Sequence, residues 1–115
     1  MKTKEILEDA YHLLDDKKHW TQGCFARDRL GRSVYTSSNS ATCWCAIGAL
    51  EKVALEKSEI GDYVGGSLEK AEKALTKAIV ELYKKRAVPR VNDGKDGYRK
   101  IRAAYRRAIR SCEDE

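Results

Sequence analysis

Three cysteines and a histidine, the side-chain types that bind metals and act as nucleophiles, fall within one short stretch: His19, Cys24, Cys43 and Cys45. Two chemistries follow from these types. A thiolate of Cys43 or Cys45 with His19 as its base would make a cysteine-dependent hydrolase or transferase. Both thiols are expected in the first turn of a helix, where unpaired amides lower a thiol's pKa. The same four side chains also form a donor set for zinc. Helical spacing argues against zinc, because residues two apart project roughly 200° from one another on a helix. Burial argues against both, since cysteine is among the most buried residue types and an apolar setting raises the thiol pKa. The preferred reading is core thiols with no metal and no cofactor, and catalysis by Cys43 or Cys45 with His19 is the alternative.

A second constellation is electrostatic. The net charge of +5 hides a segregation: Lys84 to Arg110 carries eleven Lys and Arg against Asp93 and Asp96, and the rest of the chain is net negative. Within it Arg99, Arg102, Arg106 and Arg110 recur at three- and four-residue spacing on one flank of an expected helix, with Lys100 and Arg107 further round. Guanidinium groups make planar, bidentate contacts with carboxylates and phosphates. The row therefore suits an acidic protein partner or a nucleic-acid backbone. No groove-reading motif accompanies it, so nucleic-acid binding would be weakly sequence-specific. The competing reading is a solvated face neutralised by acidic residues of the preceding helix.

The elements that must position these groups are mostly helical. A chain of 115 residues with 42% hydrophobic and 36% charged residues suits a single charged domain spanning 1–115. No apolar run approaches the roughly 18 residues of a membrane span, so a cytoplasmic protein is expected, with no membrane partner. The sequence leaves the oligomeric state open. The expected fold is mainly α, α+β at most, with about four helices packed round a buried central helix. That helix is placed at residues 41–57, after a short β-hairpin at residues 23–36.

In chain order, Thr3 is the expected cap of a first helix reaching Lys18, with Ile6, Leu7, Ala10, Leu13 and Leu14 inward and His12 at the surface. Gly31 closes the hairpin loop. The central helix reads as apolar nearly all round, which buries it. Trp20, Phe25, Cys45, Ile47, Leu50 and Val53 are expected in the core, and Gly48 close against a neighbouring backbone. A loop over Ile60–Gly66 leads to a helix capped by Ser67. Pro89 and a turn over Val91–Lys95 precede the last helix, capped by Asp96.

His19-Trp20-Thr21-Gln22-Gly23, Phe25-Ala26-Arg27-Asp28, Gly31-Arg32 and Cys43-Trp44-Cys45-Ala46-Ile47-Gly48-Ala49-Leu50 together resemble an uncharacterised family of small phage and actinobacterial proteins. Its pattern is W-x-Q-G-x-x-A-R-D…G-R…C-W-C-A-x-G-A-L. The Asn92-Asp93 pair and the Ala108-Ile109 step match its later part, while Lys95-Asp96-Gly97 departs from its usual cap. The resemblance implies a phage or prophage setting and no assigned activity. The expectation is an accessory protein acting by binding, to an acidic host protein or a nucleic-acid backbone, through its basic C-terminal helix.

Overall fold

Amphipathic stripes decide where the helices lie. The structure is a computed structural model describing residues 2–57, 65–85 and 87–112. Among these residues there are five α-helices: α1 Thr3–Leu13, α2 Ala46–Lys57, α3 Gly65–Tyr83, α4 Val88–Asn92 and α5 Gly97–Ser111. Strands β1 Ala26–Asp28 and β2 Ala41–Trp44 form a two-stranded antiparallel sheet. The fold is thus mainly α with a short antiparallel sheet. Among the described residues no helix is long and apolar enough to cross a membrane.

Helix α1 packs against α2, α3 and α5, and α3 lies along α5. Ile6, Leu7 and Ala10 of α1, Leu50 of α2, Leu75 and Ile79 of α3, and Ile101 and Tyr105 of α5 meet in one buried cluster. Alanine recurs where the helices cross: Ala49, Ala71, Ala104 and Ala108 are all fully buried. Small side chains there let the helix axes approach while the larger neighbours interdigitate.

Several boundaries differ from the sequence expectation. Thr3 is the first residue of α1 and buried, while the Lys2 amide donates to Glu5 Oε1 at 3.2 Å. Helix α1 ends at Leu13, and Lys17 and Lys18 belong to a separate 3-10 turn, Lys17–His19. Asp16 starts that turn by accepting from the Lys18 amide at 3.0 Å; short acidic side chains divert a backbone from the helix in this way. Residues 41–44 are strand, not the opening of the central helix. β1 pairs with them (Ala26 with Trp44, Arg27 with Cys43), and residues 32–34 reach the other side of β1 only through the Arg27–Ser33 bridge. An apolar run this short fits a strand as well as a helix, and the antiparallel pairing with β1 decides for the strand.

Ser67 lies inside α3 and does not cap it, and residues 60–64 of the expected loop lie outside the described residues. Val88–Asn92 is a short helix with Pro89 in its first turn, so the turn expected over Val91–Lys95 begins only after Asn92. Asp96 does precede α5, in a left-handed conformation (φ 56°) and without a side-chain cap.

Gly48 behaves as expected. A Cβ there would run into the carbonyl oxygen of Phe25. The same oxygen accepts from the Cys45 amide at 3.1 Å, so the chain before β1 is pressed onto the first turn of α2. Phe25 itself contributes backbone, not ring: its side chain is 52% exposed, against the expectation of burial. Trp20 and Ile47 are half-buried, and Cys45, Leu50 and Val53 are in the core.

Candidate functional site

The stretches Trp20–Gly23 and Asn92–Asp93, some 70 residues apart, meet around one side chain. Asn92 ends α4 and is 1% exposed. Its Oδ1 accepts from the Trp20 indole at 2.8 Å and from the amide of Ala46, the first residue of α2, at 3.0 Å. Its Nδ2 donates to the Thr21 carbonyl and to Asp93 Oδ1, each at 3.0 Å. Both donors and two acceptor sites of the amide are therefore engaged. Gln22 Nε2 donates to the Asn92 carbonyl at 3.1 Å, and Asp93 Oδ1 also accepts from the Gly23 amide at 3.0 Å.

Arg27 and Asp28 serve their own loops. The Arg27 guanidinium donates to Thr21 Oγ1, the Gly31 carbonyl and the Gln22 carbonyl at 2.9–3.0 Å. Asp28 accepts from the Leu30 and Arg32 amides and from Arg32 Nε. The Arg32 amide, above the other donors, holds its carboxyl below the ordinary value. The motif's polar side chains thus build the fold through bonds within the chain.

Cys45 lies immediately before α2, and its sulfur accepts from the Gly48 amide at 3.3 Å. That bond favours the thiolate, but burial outweighs it and pushes the thiol's pKa up. Cys45 shares a pocket of about 180 Å³ with Cys24, Phe25, Pro89 and Asp93. His19 lines a different groove with Leu13, Lys18, Thr42 and Trp44, and its ring lies 3.3 Å from the Asp15 carboxylate. Cys24 and Cys43 donate to the backbone carbonyls of Ala26 and Arg27. Cys43 does stand on a strand, the geometry in which a Cys-x-Cys pair can share an ion. Even so, among the described residues no group of three or more His, Cys, Asp or Glu side chains is gathered to hold a metal.

The basic row divides. Arg102 turns inward: its guanidinium stacks 3.6 Å from the centroid of the Tyr11 ring and donates to the Tyr11 carbonyl, tying α5 to α1. Arg107 pairs with Glu81 of α3 at 2.9 Å, and this hydrogen bond lowers the pKa of Glu81. Arg99 reaches Asp96 at 3.5 Å with both side chains exposed, a contact of little energy. Lys100 sits 5.6 Å from the centroid of the Tyr83 ring. Arg106 donates to the Tyr11 hydroxyl at 3.1 Å, and among the described residues neither it nor Arg110 forms an ion pair.

Arg106 and Arg110 flank a groove of about 510 Å³ between α1 and α5, completed by Glu8, Tyr11, His12 and Ile109. The arginine side of this groove is legible on a helical wheel. The α1 side was missed, although Glu8, Tyr11 and His12 stand at i, i+3 and i+4, the spacing that gathers side chains on one face. The site offers guanidinium donors, an imidazole and an apolar floor.

Comparison with known proteins bears on the whole chain and not on this groove. No curated protein and no solved structure matches it. A family model does match, over residues 1–111, and the chain belongs to that family, the family of unknown function DUF6197.

Proposed function

We propose that this chain works by binding, and that it presents Arg106 and Arg110 of α5 to an acidic protein partner. In the phage or prophage setting that the motif resemblance implies, that partner is a host protein and this chain an accessory factor. One observation carries the reading. Arg99 and Arg107 have carboxylates and Arg102 is drawn onto α1, whereas Arg106 and Arg110 stand side by side with no acidic partner among the described residues. Guanidinium groups four apart on a helix repel one another. An acidic partner offsets that repulsion, and a helix former such as glutamine would have avoided it. A nucleic-acid backbone is the weaker candidate, because the Glu8 carboxylate sits in the same groove and a phosphate backbone, unlike a protein segment, has no neutral residue to place against it.

The test is salt-dependent retention on a polyglutamate resin and on a single-stranded DNA resin. The wild-type chain is expected to elute from polyglutamate at higher salt than the Arg106→Glu/Arg110→Glu variant, with an unchanged thermal midpoint. A control changes Lys70 and Lys77, both exposed on α3, to Glu, which alters net charge equally. If that control loses as much retention, the effect is net charge and the proposed face is wrong. Stronger retention on DNA than on polyglutamate would transfer the function to nucleic acid.

A further inference from the structure

The groove between α1 and α5 has a mixed lining, and the mixture narrows the partner. We infer that it receives a short acidic segment of a partner protein that also carries an apolar side chain. The carboxylates meet Arg106 and Arg110, and the apolar side chain lies on Ile109 and the Tyr11 ring. This rests on the binding reading above and goes further by naming what enters.

Four residues of helix rise span about 6 Å, so the two guanidinium groups address neighbouring carboxylates, not one. Arg106 is already oriented. Its Nη1 donates to the Tyr11 hydroxyl at 3.1 Å, and the Tyr11 ring is itself held by Arg102 stacked against it. A guanidinium carries five N–H donors, so most of those on Arg106 stay available to a ligand. Orienting it beforehand reduces the ordering cost of binding. On the α1 wall His12 is exposed and adds a further polar donor or acceptor.

Ile109 is half-buried, and the part of it that faces the groove forms an apolar floor between the charges. A volume of about 510 Å³ lies within the roughly 300–1,000 Å³ of ordinary ligand pockets and accommodates a few side chains. Glu8 sets the polarity. A uniformly charged polyanion would place an anion against it, whereas a peptide can present a neutral or apolar residue there.

The test is fluorescence anisotropy with three labelled probes: a short peptide of mixed leucine and glutamate, the same peptide with serine for leucine, and a single-stranded oligothymidylate. The leucine-containing peptide is expected to bind at least about tenfold more tightly than its serine counterpart, a factor typical of a filled apolar subsite. Ile109→Ser should remove that difference. Ile109 also packs on the core, so a second variant avoids it: His12→Glu, at an exposed site, should weaken the leucine peptide about tenfold through like-charge repulsion.

Equal affinity for the two peptides overturns the inference, as does tighter binding of the oligothymidylate. The two levels separate cleanly. If Arg106→Glu/Arg110→Glu abolishes polyglutamate retention but the peptides bind alike, only the groove inference fails. If that variant keeps full retention, the binding reading itself fails.

Discussion

Removing the Asn92 side chain should be among the most damaging polar substitutions in this protein. Asn92→Ala leaves the Ala46 amide without its acceptor at a fully buried site, and a buried donor without a partner costs about 1–3 kcal/mol. The Trp20 indole and the Thr21 carbonyl lose partners too, but both are half-buried and water can reach them, so each adds about 0.5–1.5 kcal/mol. The total is about 2–6 kcal/mol, a large share of the roughly 6–17 kcal/mol expected for a chain of this length. At about 4 °C per kcal/mol, the thermal midpoint should fall by roughly 8–24 °C. Urea unfolding gives the free energy, and the fluorescence of Trp20 reports loss of its hydrogen bond. Asn92→Asp separates the roles: it keeps both acceptor bonds, loses both donors and sets a second carboxylate beside Asp93, so it should be milder at low pH, where a protonated carboxyl can donate. A loss below about 1 kcal/mol for Asn92→Ala would refute the reasoning, because it would mean that the hub's bonds exchange freely for water.

Four further outcomes follow from the same contacts. Gly48→Ala should cost about 1–3 kcal/mol in urea unfolding, since its Cβ would land on the Phe25 carbonyl against a packed turn. Arg102→Ala should cost about 1–3 kcal/mol through the lost bond and stacking on Tyr11, whereas Arg110→Ala should stay within about 0.5 kcal/mol in the same assay. Cys45 should resist iodoacetamide in the native protein at neutral pH and react once urea unfolds it, because burial keeps its thiol protonated. Stability should also fall in strong alkali. Burial raises the Cys45 pKa above its ordinary 9.0 and the Tyr105 pKa well above its ordinary 10.0. The folded state therefore holds these protons longer than the unfolded chain does, so stability is complete below those ordinary values and declines as pH climbs past them. Tyr105→Phe should flatten that alkaline decline in denaturation curves and lower stability at neutral pH.

What was legible in the sequence is what depends on local periodicity. The α1 stripe of Ile6, Leu7, Ala10 and Leu14 and the α5 stripe of Ile101, Ala104, Tyr105 and Ala108 are buried as their spacing requires. Gly48 could also be read, since a glycine inside an apolar helix needs a packing reason and the Phe25 carbonyl supplies it. The start of α2 was misplaced because Cys43-Trp44-Cys45-Ala46 is apolar in either geometry, and only pairing with β1 makes its first half a strand. Asn92 gave no local sign of its role, because its partners other than Asp93 lie 46 to 72 residues away. The division of the arginine row was hidden for the same reason. A helical wheel places Arg102 beside Arg106 but says nothing of Tyr11, which draws one guanidinium inward and leaves the other beside the groove.

The backbone of Ala46 joins the motif hub to the groove. Its N–H donates to Asn92 Oδ1, and its carbonyl accepts from the Tyr105 hydroxyl at 2.6 Å. Tyr105 is the residue before Arg106, so the element that carries the groove arginines is pinned to α2 at one point and to α1 through Arg102 at another. Two fixed points on neighbouring turns set the rotation of α5 about its axis as well as its distance from α1. That rotation decides which guanidinium groups face inward and which face solvent. A hydroxyl with a single buried partner is a stiffer constraint than apolar packing, since hydrogen bonds have preferred directions and dispersion contacts do not. In the binding proposed above, the motif residues act without touching a partner. They hold Ala46 in place, Ala46 holds Tyr105, and Tyr105 sets the direction in which Arg106 and Arg110 point.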